Sequence, residues 1–342
     1  MENRIVHITE LNEDGIGFGV ITLSNNELRQ VFVPYTYPGD EVEARIYRKR
    51  HKNWEGEIVR FIKESNRRAN PFCPHFTVCG GCLTQQIPYS EQLEHKQQKV
   101  EKLLGSPVLP ILASPLIKGY RNKMEFSFSQ DKKGEKYLGL YGRRRVQNVI
   151  LCPISPEWFS LALAKIRAWW DKTSLTAFNP RSGLGSLRTI TFREGENSKM
   201  AILTVSGDPA YALSREHIHQ YIEALSDFEN ISIFLRIHQA IKGQPTQFFE
   251  MHLKGQDFFS EKLAGVTFKI SPAAFFQPNP RQAERLYETA LSFLSPDIKV
   301  VYDLYCGTGT LSILLAKKGY EVYGIELSRE ACLDARENGE LN

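Results

Sequence analysis

The chain has 342 residues, 42% apolar and 24% charged, with a formal net charge of +4. That length accommodates two or three domains, and the composition is that of a soluble globular protein. No apolar run approaches the roughly 20 residues of a membrane span, and the start, MENRIVHITELNEDG, lacks the pattern of a secretory leader. A cytoplasmic protein with reduced thiols and no membrane partner is expected. The small net charge does not by itself imply a polyanionic partner. Three local basic clusters, RKRHK at 48–52, RR at 67–68 and RRR at 143–145, favour a nucleic-acid surface.

Residues 1–63 read as five short strands, RIVHITEL, GIGFGVITL, QVFVPY, DEVEARIYR and WEGEIVRFI, separated by turn signals. This predicts a small closed barrel of the OB type. Lys49, Arg50, His51 and Lys52 fall in its last turn. Trp54 beside them either stacks on a base or packs on the barrel. A cysteine-bearing stretch follows, then an amphipathic helix over 90–105 with Leu93, Val100, Leu103 and Leu104 on one stripe. Residues 117–152 return to strands, 156–172 read as helix, 186–206 as two strands and 209–226 as helix. ISIFLRI and TQFFEM suggest further strand. The middle of the chain is therefore expected to be α+β with an antiparallel sheet. From residue 270 the pattern changes to helix, strand, Gly-rich loop, helix, strand, helix, the start of a doubly wound α/β sheet.

Two constellations carry chemistry. Cys73, Cys79 and Cys82 form C-x5-C-G-G-C, and Cys152 follows far downstream in LCPI. In a reducing compartment such thiols favour a metal over disulfides, and the pattern leaves zinc and iron–sulfur open. In DLYCGTGT the strand ends in Asp303 and Tyr305, and Gly307 and Gly309 turn the backbone toward a helix beginning near Thr310. The next strand ends on Glu326, an acid placed to take two ribose hydroxyls. The loop lacks the third glycine of a dinucleotide site. It suits S-adenosylmethionine better, with the helix N-terminus available for a carboxylate. A nicotinamide or purely structural unit is the alternative. Cys306 and Cys332 read as buried structural thiols.

Together these parts resemble the RNA uracil-5 methyltransferases of the bacterial 23S rRNA type, which carry an N-terminal TRAM barrel and an iron–sulfur cluster. GIGFGV and VFVPYTYPGDEV resemble the TRAM domain, and C-x5-C-G-G-C with LCPI resembles the 4Fe-4S ligand set. GYRNKMEFSF and GLYGRRR resemble RNA-facing segments, FFQPN the cofactor motif, and DLYCGTG with GIEL the cofactor loop. The resemblance implies a multidomain protein: an OB-like TRAM barrel at 1–63, an α+β iron–sulfur and RNA-binding domain at 64–265, and an incomplete Rossmann-like α/β domain at 266–342. Helix 90–105 is expected to pack on the last of these. It implies Cys73, Cys79, Cys82 and Cys152 as 4Fe-4S ligands. It implies Gln277, Tyr305, Gly307 and Glu326 as contacts to S-adenosylmethionine, and Arg121, Lys123 and Arg143 to Arg145 as contacts to 23S rRNA. Where Thr310 stands the family often has Asn.

In this family a cysteine in an S-C-N-P-like motif adds to carbon 6 of uracil, carbon 5 takes the methyl group, and a glutamate removes the proton. No S-C-x-P and no D-P-P-R-like motif occurs in these 342 residues. The chain thus reads as a truncated, monomeric member with no catalytic residue of its own, inactive alone. A non-catalytic RNA-binding protein with a structural metal is the alternative, and a cluster-based redox protein a third reading.

Overall fold

The computed structural model describes residues 2–23, 26–48, 54–143, 145–240 and 246–342. These fall into two compact units, Met1–Ala113 and Ser114–Asn342.

The first unit is a curled six-stranded sheet: β1 (Glu2–His7), β2 (Glu10–Leu11), β3 (Gly17–Thr22), β4 (Leu28–Val33), β5 (Glu41–Arg48) and β6 (Trp54–Lys63), in the order β1-β5-β6-β4-β3-β2. Its two edge strands are one bent segment, since only Ile8 and Thr9 separate β1 from β2. The predicted first strand therefore splits in two and curls the sheet back on itself. Glycine is required where layers touch: a Cβ on Gly19 would lie 2.0 Å from the His7 carbonyl oxygen, and one on Gly17 2.2 Å from Thr36 Oγ1. Val6, Ile8, Val31, Val33, Val42 and Ala44 fill the interior.

Asp40, wholly buried, ties the sheet to the segment after β6. Its carboxylate accepts from Tyr37 N (2.8 Å), Ser65 N (2.8 Å) and Arg68 Nη1 (2.9 Å). Such a pair is stable only while both partners remain. Helix α1 (Tyr89–Leu104) turns a polar face to the 12–14 loop: His95 Nε2 lies 2.6 Å from the Asn12 carbonyl, Lys99 Nζ donates to Asp14 (2.9 Å), and Lys102 pairs with Glu13. None of its residues is buried, and Val100, Leu103 and Leu104 of the predicted stripe are exposed.

The second unit centres on a seven-stranded sheet, β13-β12-β11-β10-β7-β8-β9. Its strands are β7 (Lys123–Gln130), β8 (Lys136–Tyr141), β9 (Val146–Asn148), β10 (Leu187–Gly195), β11 (Ser198–Ser206), β12 (Ile231–Gln239) and β13 (Gln247–Lys254). Helices α2 (Glu157–Asp171) and α3 (Arg215–Ala224) contribute to the core on one face. The sheet is antiparallel as expected except at β11 and β12, which pair in parallel, Lys199 opposite Ile231. The connection between them carries α3, and a parallel pair needs such a crossover.

Strand alternation sends Ala201, Leu203 and Val205 into the helix-covered core and Met200 and Ile202 into a second one. That second core is closed by a hairpin the sequence reading missed, β14 (Phe259–Leu263) and β15 (Val266–Ile270). Its two turn residues, Ala264 and Gly265, have φ of 49° and 80°, the left-handed pair a tight hairpin demands. Helix α4 (Pro280–Ser292) follows, then β16 (Val300–Leu304), α5 (Thr310–Lys317), β17 (Glu321–Ile325) and α6 (Arg329–Leu341), with β16 and β17 parallel as expected.

Glu261 on β14 is 8% exposed. Burial pushes its carboxyl up from the usual 4.5 to about 7, against the pull of donors from Asn122 Nδ2 (3.4 Å) and Lys262 N (3.0 Å). A pKa raised on folding adds stability that is complete below the unfolded value and is lost as pH rises through the folded one. The fold should therefore lose up to ~3 kcal/mol between about pH 4.5 and 7 from this group. Urea unfolding against pH should show that slope, and Glu261→Gln should flatten it.

Candidate functional site

Parallel β16 and β17 end side by side, Asp303 opposite Gly324 and Leu304 opposite Ile325, so both following loops leave from one edge. Cys306 N donates to the Ile325 carbonyl (3.1 Å) and fixes the first loop against the second strand. Tyr305 and Gly307 have φ of 64° and 55°; Gly309, at 78°, caps α5. A Cβ on Gly309 would press on Ala335 of α6 at 3.2 Å, whereas one on Gly307 would meet nothing within 4 Å. The first glycine leaves open room above the loop and the second permits close helix packing. The Tyr305 ring is 89% exposed at this edge.

Glu326 closes the site from β17. Its carboxylate accepts from Gly307 N (2.9 Å), Leu327 N (2.8 Å) and Ser328 N (2.8 Å). Those backbone donors, Ser328 first, hold its carboxyl below the usual range. It is therefore anionic near neutrality and retains lone pairs for hydroxyl donors. Asp303 is engaged by the Ser312 hydroxyl (2.6 Å). The structure thus brings together three of the predicted cofactor residues, Tyr305, Gly307 and Glu326.

Gln277 sits half-buried in the irregular segment before α4 and hydrogen-bonds Tyr287 of that helix. Burial pushes the Tyr287 hydroxyl up, and the Asp303 charge adds to it. The segment itself is held by two residues the sequence reading did not single out as supports. Arg193, 1% exposed, donates through Nη1 to the carbonyls of Ser271 (3.3 Å), Pro272 (3.3 Å) and Ala274 (3.0 Å), with its guanidinium 4.3 Å from the Phe259 ring centre. Asn122 N donates to the Pro278 carbonyl (2.9 Å). In TITFRE, Arg193 falls in phase with Thr189 and Thr191, where a solvent-facing polar residue is expected, so the sequence carried no signal for its burial.

Cys73, Cys79 and Cys82 share one loop of the first unit. Burial pushes the Cys73 and Cys79 thiols up, and Cys82 raises both further, so the three lie within electrostatic reach of one another. Cys73 N donates to Gln85 Oε1 (3.2 Å) and Gly81 N to Cys79 Sγ (3.4 Å). Cys152 belongs to the second unit, in the turn before α2, where its carbonyl accepts from Ser155 Oγ (2.9 Å). Among the described residues, no three His, Cys, Asp or Glu side chains converge tightly enough to hold a metal ion.

The basic clusters divide. Arg68 of the RR pair is structural, taken up by the buried Asp40, whereas Arg67 pairs with Glu91 (3.4 Å) with its side chain exposed. Trp54 packs on the barrel core. Arg121, Arg143 and Arg145 are exposed, whereas Lys123 is partly buried, its ammonium pKa lowered chiefly by burial. Residues 49–52 and Arg144 lie outside the described residues, as does the side chain of Arg48. Cys306 and Cys332 are half-buried. Burial, Asp303 and Glu326 keep the Cys306 thiol protonated, and Cys332 Sγ donates to the Glu326 carbonyl (3.4 Å). No described helix is long and apolar enough to cross a membrane.

Comparison with known proteins gives the site a context. Residues 5–66 match the TRAM-domain model of tRNA (uracil(54)-C(5))-methyltransferase, and residues 221–342 match the tRNA (uracil-5-)-methyltransferase model. An uncharacterized RNA methyltransferase of Protochlamydia amoebophila is 43% identical over 91% of this chain and 76% of its own length. One from Clostridium tetani is 33% identical over 97% of this chain and 76% of its own. The crystal structure of Pyrococcus abyssi tRNA (uracil-54, C5)-methyltransferase with S-adenosyl-L-homocysteine superposes with a TM-score of 0.75 at 25% identity, over 98% of this chain and 76% of that one. The matched models, the shared length and the common fold together mean that the chain belongs to the RNA uracil-5 methyltransferase family, with a TRAM domain at its N-terminus.

Proposed function

We propose that the protein belongs to a reaction in which the methyl group of S-adenosylmethionine passes to carbon 5 of a uridine in RNA, and that this chain supplies the cofactor site. The observation that carries the reading is the anionic Glu326 carboxylate at the end of β17, facing the open Gly307 turn. Bound S-adenosylmethionine supplies an electrophilic sulfonium methyl group. Glu326 would accept from the ribose hydroxyls, the open Gly307 turn would leave space for the ligand, and Tyr305 and Gln277 would be further contacts to it. Cys306, held protonated by burial and two acidic neighbours, is a poor nucleophile, and no S-C-x-P occurs in the 342 residues. The polypeptide should bind S-adenosylhomocysteine in a calorimeter, and Glu326→Gln should weaken binding roughly tenfold or more through loss of charge-assisted hydrogen bonds. The same polypeptide should transfer no methyl group to uridine; turnover would overturn the reading that none of these 342 residues serves as the nucleophile.

The three thiols of the first unit fit a thiolate-ligated centre in donor chemistry. Cys73, Cys79 and Cys82 are taken as 4Fe-4S ligands, with Cys152 as the fourth that the sequence resemblance implies. Anaerobic reconstitution with iron and sulfide should give a broad visible absorption that dithionite bleaches, and Cys79→Ser should abolish it. Stoichiometric zinc in place of iron would refute the cluster.

The substrate RNA is read as 23S rRNA, on the resemblance of the cysteine set and barrel. Transfer RNA is the second reading, favoured by both matched family models and by the archaeal enzyme of similar fold. In a filter-binding competition, 23S rRNA should displace labelled 23S rRNA at lower concentration than tRNA does; the reverse order selects tRNA.

A further inference from the structure

Alternate residues of a strand direct both N–H and C=O to one edge. In β15 one set of residues faces β14, which leaves Thr267, Lys269 and the following Ser271 with backbone groups toward the opposite edge. No strand takes that edge among the described residues. It is met instead by side chains of α6. The Asp334 carboxylate accepts from Ser271 N (2.9 Å), Asn338 Oδ1 accepts from Lys269 N (2.7 Å), Asn338 Nδ2 donates to Lys269 O (2.9 Å), and Asn342 Nδ2 donates to Thr267 O (2.9 Å). The spacing explains the fit. Four helix residues advance about 6 Å, and two strand residues about 6.6 Å. One helical stripe therefore keeps step with one strand edge for three rungs.

The middle rung does more. Asn338 is wholly buried, and its Nδ2 also donates to the Thr308 carbonyl (3.2 Å). Thr308, itself 3% exposed, lies between the two glycines of the cofactor loop. We infer that Asn338 is a positioning residue of the cofactor site: its single amide clamps the loop at Thr308 to the edge of β15 and so sets where Gly307 and Gly309 stand. The role rests on the cofactor reading above. Asn338 touches no ligand itself, so it acts by preorganisation, sparing the loop the ordering it would otherwise undergo on binding.

The test separates the strand tie from the loop tie. Asn338→Asp keeps the acceptor for Lys269 N–H but loses the donor to the Thr308 and Lys269 carbonyls, whereas Asn338→Ala loses all three bonds. Asn342→Ala removes a rung that does not reach the loop. Hydrogen exchange, which needs no ligand, should show Lys269 N–H protected in wild type and Asn338→Asp and unprotected in Asn338→Ala. S-Adenosylhomocysteine affinity by calorimetry should fall about tenfold in both Asn338 variants, the worth of one buried hydrogen bond, while Asn342→Ala binds as wild type does. Asn338→Asp binding as well as wild type overturns the inference, and so does an equal loss in Asn342→Ala. Wild-type protein that shows the exchange pattern but binds no S-adenosylhomocysteine refutes the cofactor reading instead.

Discussion

A chain that runs buried without regular structure must still pair its carbonyls. In this protein that requirement falls on Ser271–Ala274, the stretch between β15 and the FFQPN motif, and Arg193 meets it. One guanidinium nitrogen reaches three carbonyls of that stretch, those of Ser271, Pro272 and Ala274, while the ring of Phe259 covers its face. Burial among apolar groups and the nearby Arg236 charge lower the Arg193 pKa to about 9, so the arrangement is expensive in isolation. Arg236 Nη2 also donates to the Pro272 carbonyl (3.1 Å) and Ala274 N to the Ser271 carbonyl (3.2 Å), so Arg193 reinforces these two and supplies the donor to the Ala274 carbonyl (3.0 Å). Together with the Asn122 bond to the Pro278 carbonyl, it sets the path of the chain toward Gln277 and α4.

The seven-stranded sheet makes this possible by dividing labour between its faces. Toward α2 and α3 it presents a dense aromatic core, in which the Phe128 and Trp170 rings meet edge to face at 5.0 Å. Truncating a fully buried aromatic of this kind typically removes roughly 3–5 kcal/mol. On the other face the same strands offer Met200, Ile202 and Phe234 to the β14–β15 hairpin, together with the charged Arg193. Rigidity comes from the first face, and the cofactor-side elements are mounted on the second.

Electrostatics at the cofactor edge follow from backbone geometry rather than from neighbouring cations. Three N–H groups converge on Glu326 and keep it ionised, while burial, then the Asp303 and Glu326 charges, keep the adjacent Cys306 thiol protonated. Glu261 shows the opposite case: a carboxyl whose few donors do not offset burial, so that it titrates near neutrality. In the first unit, the buried Asp40–Arg68 pair anchors the chain as it leaves the barrel toward the cysteine loop.

The chain's local chemistry was legible from residue order alone. Turn glycines, strand alternation and the strand–loop–helix–strand–acid unit depend on neighbours a few positions apart, and the sequence by itself determined the curled N-terminal sheet, the Gly307–Gly309 turn and Glu326 at the end of its strand. Tertiary structure decided what joins distant segments. The parallel pairing of β11 with β12, the capture of Arg68 by Asp40, the grip of Arg193 on Ser271–Ala274 and the ladder from Asp334, Asn338 and Asn342 to β15 each link residues separated along the chain. Their side chains look like ordinary polar residues in the sequence. They become supports only when folding brings them against backbone and charged groups from distant segments, and that juxtaposition is a property of the packed whole.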